Sequence, residues 1–281
     1  MAFFQLPQVR SCTVHACSEA KEVDPFINES LVDYLQRTNS GAREAYSKLS
    51  EVCDIHEPTL FFKYVEVFHT FPFDATKPLN LFCFNTDPSA AEKAFNMVRK
   101  VGTNGVNALD EADVAVADLE ADAKFAPVVR ALLKSQKLGG HAVVHIPEIF
   151  TLSSVQLVYL LCSAYTSVYV YAPMLYSGQT KFVVGLNKKK DVDVPASPFT
   201  FAIPQLFVVK LTEINTTIGQ KRLEQVRFPM NCDYECVIWK SKYLCHSQRP
   251  DLLGHRVNHD ANSRVNQVEQ AAKTAHGQAV D

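Results

Sequence analysis

GGHAVVHIPEIFTLSSVQLVYLLCSAYTSVYVYAPMLYSGQTKFVVGLN, residues 139–187, strings together a strand, a helix and two further strands. Gly139–Gly140 closes a helix read over 124–137, and HAVVHI (141–146) is an apolar, β-branched strand. Ser153 with Gln156 forms a capping box that predicts a helix through Tyr165. SVYVYA (167–172) and TKFVVGL (180–186) are strands joined by PMLYSGQ, short enough to predict an antiparallel hairpin at a sheet edge.

The same alternation runs upstream. LNLFCF (79–84) reads as a strand that enters a tight loop and then a helix, NTDPSAAEKAF. DVAVAD (113–118) is a short strand ending on an acid, followed by the 124–137 helix. Such alternation implies an α/β fold with a mostly parallel sheet covered by helices on both faces. Residues 28–71 carry apolar side chains at three- and four-residue spacing and form a helical lead-in. Pro58 restarts that pattern and LFFKYVEVFHTF (60–71) continues it as an amphipathic helix that stops before Pro72. After a loop, KKKDVDVPASPF, come a long helix at 205–226 and a shorter one at 234–244. The expected organisation is an N-terminal segment (1–27), a domain (28–245, with a helical extension at 205–245) and a polar, disordered tail (246–281).

Bulk properties narrow the classes. A net charge of −2 gives no global signature of nucleic-acid binding. The Lys188–Lys190 run is the local exception, and it reads as a solvated turn. No apolar run approaches the roughly 20 residues of a membrane span, and MAFFQLPQVRSC lacks the features of a secretory signal. The expected location is intracellular, cytoplasmic by default, with the eight cysteines reduced.

The 139–187 stretch resembles the C-terminal half of FtsJ-like ribose 2'-O-methyltransferases, most closely the branch that modifies mRNA caps in eukaryotes and their viruses. The similar features are Gly-Gly, an apolar strand, a Phe-Thr-x-x-Ser helix start and an aromatic strand pair. LFFKYVEVFHTFPF (60–73), DVAVADLEAD (113–122), the 205–226 helix and CVIWKSKY (236–243) extend the resemblance over roughly residues 40–245. It implies a Rossmann-like methyltransferase fold and a Lys-Asp-Lys-Glu tetrad. In that tetrad a lysine lowers the effective pKa of a poor hydroxyl nucleophile and takes its proton.

Carried over by position, the tetrad falls on Lys63, Asp118, His145 and Thr180, with Gln179 the alternative for the last if the register shifts by one. Half of it is therefore replaced. A neutral imidazole, with an unperturbed pKa near 6.5, does not supply a lysine's permanent charge, and threonine offers only a hydroxyl. His145 by itself reads as a strand-end histidine hydrogen-bonded to a neighbour.

Active family members place a glycine-rich loop after the first strand, where backbone approaches S-adenosylmethionine and helix N–H groups face its carboxylate. Here that loop reads Phe84-Asn85-Thr86-Asp87-Pro88-Ser89-Ala90-Ala91-Glu92, without a glycine. Ser89 and Glu92 read as a capping box and Asp87 as an acid suited to the helix dipole, so Asn85 and Asp87 mark a vestigial pocket. Asp110 or Glu111 could stand for the family's ribose-binding acid, and an exposed turn explains them equally well. No G-x-G-x-x-G dinucleotide fingerprint is present.

Other groupings point to blander roles. Cys232, Cys236, Cys245 and His246, with His255 and His259 beyond, match no standard zinc spacing. Asp118, Glu120 and Asp122 read as a solvated strand-end loop, and Tyr46, Phe62 and Tyr64 read as core before they read as base-stacking residues. The expectation is a catalytically degenerate methyltransferase-fold protein, holding neither cofactor nor metal. It would bind RNA or a protein partner in an RNA-processing or ribonucleoprotein assembly. The alternative is a working S-adenosylmethionine-dependent cap 2'-O-methyltransferase using Lys63 and Asp118 with His145 assisting.

Overall fold

The computed structural model describes residues 2–9, 15–16, 42–73, 78–84, 86, 88–99, 102–119, 125–146, 148–174, 181–194, 199–200, 202–227 and 232–244. Its strands are β1 (Ala2–Gln5), β2 (His15–Ala16), β3 (Leu79–Phe84), β4 (Thr103–Gly105), β5 (Val114–Asp118), β6 (His141–Ile146), β7 (Tyr165–Ala172), β8 (Lys181–Lys188) and β9 (Phe199–Thr200). Its helices are α1 (Ala42–Cys53), α2 (Thr59–Thr70), α3 (Pro88–Arg99), α4 (Phe125–Ser135), α5 (Leu152–Ala164), α6 (Gln205–Arg227) and α7 (Cys232–Tyr243).

Seven strands form one sheet in the order β1-β7-β8-β6-β5-β3-β4, and β2 pairs separately with β9. β4, β3, β5 and β6 run parallel, as strand–helix alternation requires, while β8 is antiparallel to both β6 and β7. The β7–β8 hairpin forms as expected but not at the edge. β8 inserts between β6 and β7, and β1 covers β7 through antiparallel pairing of Ala2–Gln5 with Ala172–Tyr169. Residues 2–5 are too short a run to reveal a strand whose partner lies far along the chain.

Alternation along each strand divides the core in two. Val114, Val116, Val143, Phe182 and Val184 face one side, where α2, α3 and α7 pack. Ala115, Ala117, Ala142, Val144 and Val183 face the other, under α4, α5 and α6. Gly185 lies beneath the Tyr165 ring, where a Cβ would sit 2.9 Å from the ring carbon Cγ, so the close crossing of β7 and β8 needs glycine.

Helix starts differ from the expected boxes. Thr151, not Ser153, caps α5: its Oγ1 accepts from Ser154 N at 3.2 Å, and Ser153 lies within the helix. α3 opens at Pro88, a residue whose fixed φ and missing N–H suit the first helical position. Ser89 is thus already helical and not a cap. The membrane expectation has a narrow counterpart: among the described residues no helix is long and apolar enough to cross a membrane. The 246–281 tail lies outside the described residues.

Candidate functional site

Strand order reverses between β3 and β5, since the chain steps from β3 outward to β4 and then back across β3 to β5. Ligands of open α/β sheets bind outside the carboxyl ends of the strands at such a switch point. Asp118 ends β5 and His145 is the penultimate residue of β6, and the two are directly paired in the parallel ladder. Period-2 alternation sends both side chains to the Val116 and Val143 face, toward α2.

α2 supplies the third member. Pro58, in an extended conformation, precedes it, and Phe71 closes it by donating its N–H to Val67 O before Pro72. Every residue from Phe61 to Phe68 is buried, so the helix is enclosed on all sides and not amphipathic at a surface. Lys63 is 3% exposed and its Nζ lies 3.4 Å from His145 Nε2. On the far side of the ring, His145 Nδ1 lies 2.8 Å from Asp118 Oδ1. The imidazole is wholly buried and packs, tilted, at 4.6 Å from the ring of Phe182, its β8 neighbour. Geometry assigns the tautomer: Nδ1–H donates to the Asp118 carboxylate, and Nε2 accepts from the Lys63 ammonium. The carboxylate end keeps contact with water, the Asp118 side chain being 20% exposed.

Tyr64, the next residue of α2, closes the site toward the loop after β3. Its hydroxyl lies 3.5 Å from Thr86 Oγ1, its ring packs at 5.8 Å from Phe182, and burial pushes its pKa well up. Three sequence-predicted positions, Lys63, Asp118 and His145, are therefore brought into one hydrogen-bonded chain. Thr180 and Gln179, together with the loop residues Asn85 and Asp87, lie outside the described residues, as do Glu120 and Asp122.

Other residues singled out in the sequence take structural places. Phe62 and Tyr64 are each buried in the aromatic core and present no face to a base. The side chain of Tyr46 is not among those described. Lys188 is buried, donating to Gln136 O at 2.6 Å and pairing with Asp191 at 2.8 Å, so the lysine run is anchored at one end and is not a wholly solvated turn. Asp110 and Glu111 form an exposed turn before β5, at the opposite end of that strand from Asp118. Cys236 is buried in the core of α7, and among the described residues no group of three His, Cys, Asp or Glu could hold a metal ion.

Two charged groups escaped the sequence reading. Glu66, one turn beyond Lys63, is fully buried and accepts from Tyr171 Oη, Met174 N and Trp239 Nε1 at 2.6–2.8 Å. Lys181 opens β8 opposite Ile146 and points to the other face of the sheet. Burial lowers its pKa from 10.5 to about 8, partly offset by the nearby Glu148 carboxylate. Glu148 is itself held by Phe150 N, Thr151 and Ser154 at the start of α5.

Lys181 makes a testable contribution. Below pH 8 it is protonated in both folded and unfolded chains, so its desolvation penalty is fully present. Between about pH 8 and 10.5 the unfolded chain binds more protons, so stability rises with pH. The 2.5-unit difference sets a ceiling of about 3 kcal/mol. Tyr64, Tyr165, Tyr171 and Tyr243, all raised by burial, oppose the rise above about pH 10 as the unfolded chain ionises. Urea unfolding should thus show a gain from pH 8 to 10 that Lys181→Met removes, with the variant more stable than wild type at pH 7. A flat wild-type profile would contradict this assignment.

No protein-family model matches the chain, and no curated protein matches it in sequence.

Proposed function

We propose that this chain is a degenerate 2'-O-methyltransferase-fold protein that has given up methyl transfer and serves as a binding subunit for a protein partner. The observation that carries the reading is the closure of three of its tetrad positions, Lys63, Asp118 and His145, upon one another. Lys63 faces His145 at 3.4 Å in a place almost without solvent exposure, beneath Tyr64 and Phe182. A lysine that must deprotonate a ribose hydroxyl needs the substrate where His145 stands. The loop after β3 supports the same view, since it has no glycine to admit backbone close to a cofactor.

A protein partner is favoured over RNA by three features. The helix that would have offered aromatic and basic side chains to RNA is internal. Lys188 is spent on the fold. The exposed large side chains include Leu206 at 74% and Val209 at 44%, one turn apart at the start of α6. Apolar exposure of this kind suits a protein contact better than a phosphate backbone.

One observation favours the enzyme reading: the Asp118–His145 contact holds a base in a fixed orientation, as a catalytic dyad would. Methyl transfer from labelled S-adenosylmethionine to capped RNA separates the two. The scaffold reading expects no incorporation above a heat-inactivated control, and turnover abolished by Lys63→Ala would overturn it.

A further inference from the structure

We propose that β1 is a docking edge for a second copy of this chain, two β1 strands pairing antiparallel about a twofold axis at Phe4 so that the two sheets join into one. The inference rests on the sheet edge, three strands from His145 in the sheet order, and is independent of the scaffold reading.

β1 is the outermost strand of the seven and is paired on one side only. Its register on β7 decides which backbone groups are left over. Leu6 N donates to Val168 O at 2.8 Å, in line with the pairing of Phe4 with Val170 and of Ala2 with Ala172. Hydrogen-bonded and non-hydrogen-bonded pairs alternate along an antiparallel ladder. Ala2, Phe4 and Leu6 therefore turn their N–H and C=O groups to β7, while Phe3 and Gln5 turn theirs away from it. Phe3 is 53% exposed and Gln5 is exposed, and among the described residues nothing pairs with those four groups. Pro7, the next outward residue, has no N–H and ends the usable edge.

The edge suits a copy of itself. Strands that stay single at a sheet edge are blunted by charged side chains, lysine above all, and AFFQ carries no charge. A twofold axis sets the strand against its own sequence, so an uncharged strand brings no like charges together. With the axis at Phe4, Phe3 of one copy lies opposite Gln5 of the other, and both are outward-facing. All four free groups of each copy are then satisfied, in four hydrogen bonds across the axis. An axis at Gln5 would instead set Phe3 against Pro7, which has no N–H to give.

Side chains agree with that register. Phe4 faces Phe4 of the second copy as a non-hydrogen-bonded pair, with Cα atoms about 4.5 Å apart, where cross-strand aromatic pairs are favourable. Phe3 rests on the Phe71 and Tyr169 rings at 6.1 and 6.3 Å, and Gln5 of the second copy covers its open side. The contact is small. A wholly buried aromatic side chain covers about 150–250 Å², and Phe3 and Phe4 are already partly covered, so the pair buries less than the roughly 1,000 Å² of a stable interface. The dimer is therefore weak and reversible.

Sedimentation equilibrium of the full chain, without an N-terminal tag, from about 10 μM to 1 mM reads the association. The weight-average mass should climb with concentration toward twice the chain mass. Gln5→Pro removes an outward N–H and leaves the ladder to β7 whole, and it should weaken association at least tenfold. Phe3→Lys, which charges the edge, should do the same. Under copper–phenanthroline, Phe4→Cys should give a disulfide between the two copies of residue 4, located by peptide mapping. It should form at least tenfold faster than with Phe3→Cys, whose two copies lie diagonally apart and beyond disulfide reach. A chain that stays monomeric at about 1 mM would overturn the inference, even if it takes up a synthetic extended peptide on this edge. So would a dimer that Gln5→Pro and Phe3→Lys leave as tight as the unsubstituted chain, both variants keeping native Trp239 emission. A Phe3→Cys disulfide forming as fast as Phe4→Cys would overturn the register.

Discussion

Glu66→Ala is expected to cost about 5 kcal/mol, enough to threaten folding of a domain whose whole stability lies in the range of roughly 5–15 kcal/mol. The carboxylate is fully buried and accepts from the Tyr171 hydroxyl at 2.7 Å, the Met174 amide at 2.6 Å and the Trp239 indole at 2.8 Å. Truncation removes this acceptor from the buried Tyr171 hydroxyl and Trp239 indole and from the part-buried Met174 amide, at about 1–3 kcal/mol for each donor left unsatisfied. Glu66 sits on α2, Tyr171 on β7 and Trp239 on α7, so one side chain joins the sheet, the enclosed helix and the C-terminal extension. Because Trp239 is the only tryptophan, its emission reports the junction directly. Urea unfolding should show the loss, with a red-shifted native spectrum at the α7 contact. Glu66→Gln, which keeps one acceptor oxygen, should fall between the variant and wild type. A loss under 1 kcal/mol for Glu66→Ala would contradict this account of how α7 is held.

The second large effect concerns the tetrad positions. Asp118→Ala removes the charged acceptor of the wholly buried His145 Nδ1–H and the nearby carboxylate on the far side of the ring from Lys63, at an expected cost of about 1–3 kcal/mol. A structural lock of this kind has a distinctive non-additivity. Removing both charges, in Lys63→Met with Asp118→Leu, should recover much of the loss, since well-packed apolar replacements of a buried pair are often neutral. A double variant as unstable as the sum of its singles would show that the two charges act independently. The measurement is a double-mutant cycle by denaturant unfolding, with each member checked for native Trp239 emission.

The strands of the sheet were legible because their partners are of one kind. β5 and β6 are mostly apolar, almost continuously buried runs, the pattern of strands covered on both faces. β3 is an apolar run broken by Asn80 and only part-buried beyond Leu81, and HAVVHI forms a strand over the very residues that the sequence marks. What was not legible depends on residues distant in sequence. LFFKYVEVFHTF reads as amphipathic because Lys63 and Glu66 suggest a wet face, yet both point into protein. Their partners, His145, Tyr171 and Trp239, are 82 to 173 residues away. β1 was invisible for the same reason, since four residues carry no period and its register is set by β7. The hairpin was expected at the edge because local pattern does not reveal that β1 pairs outside β7. At the site, position along the strands located Asp118 and His145, but the contact between His145 and Lys63 needed the fold. Burial of Lys181 has no sequence signal beyond a charge at the start of an apolar strand.

Calorimetric titration of the purified protein with S-adenosylmethionine, and with its demethylated product as a control, tests the central claim most directly. The account predicts no binding heat at millimolar concentrations of either ligand, because the loop after β3 lacks the glycines that would admit it and Lys63, His145 and Asp118 are closed on one another. Micromolar binding would contradict it and return the chain to the working methyltransferases.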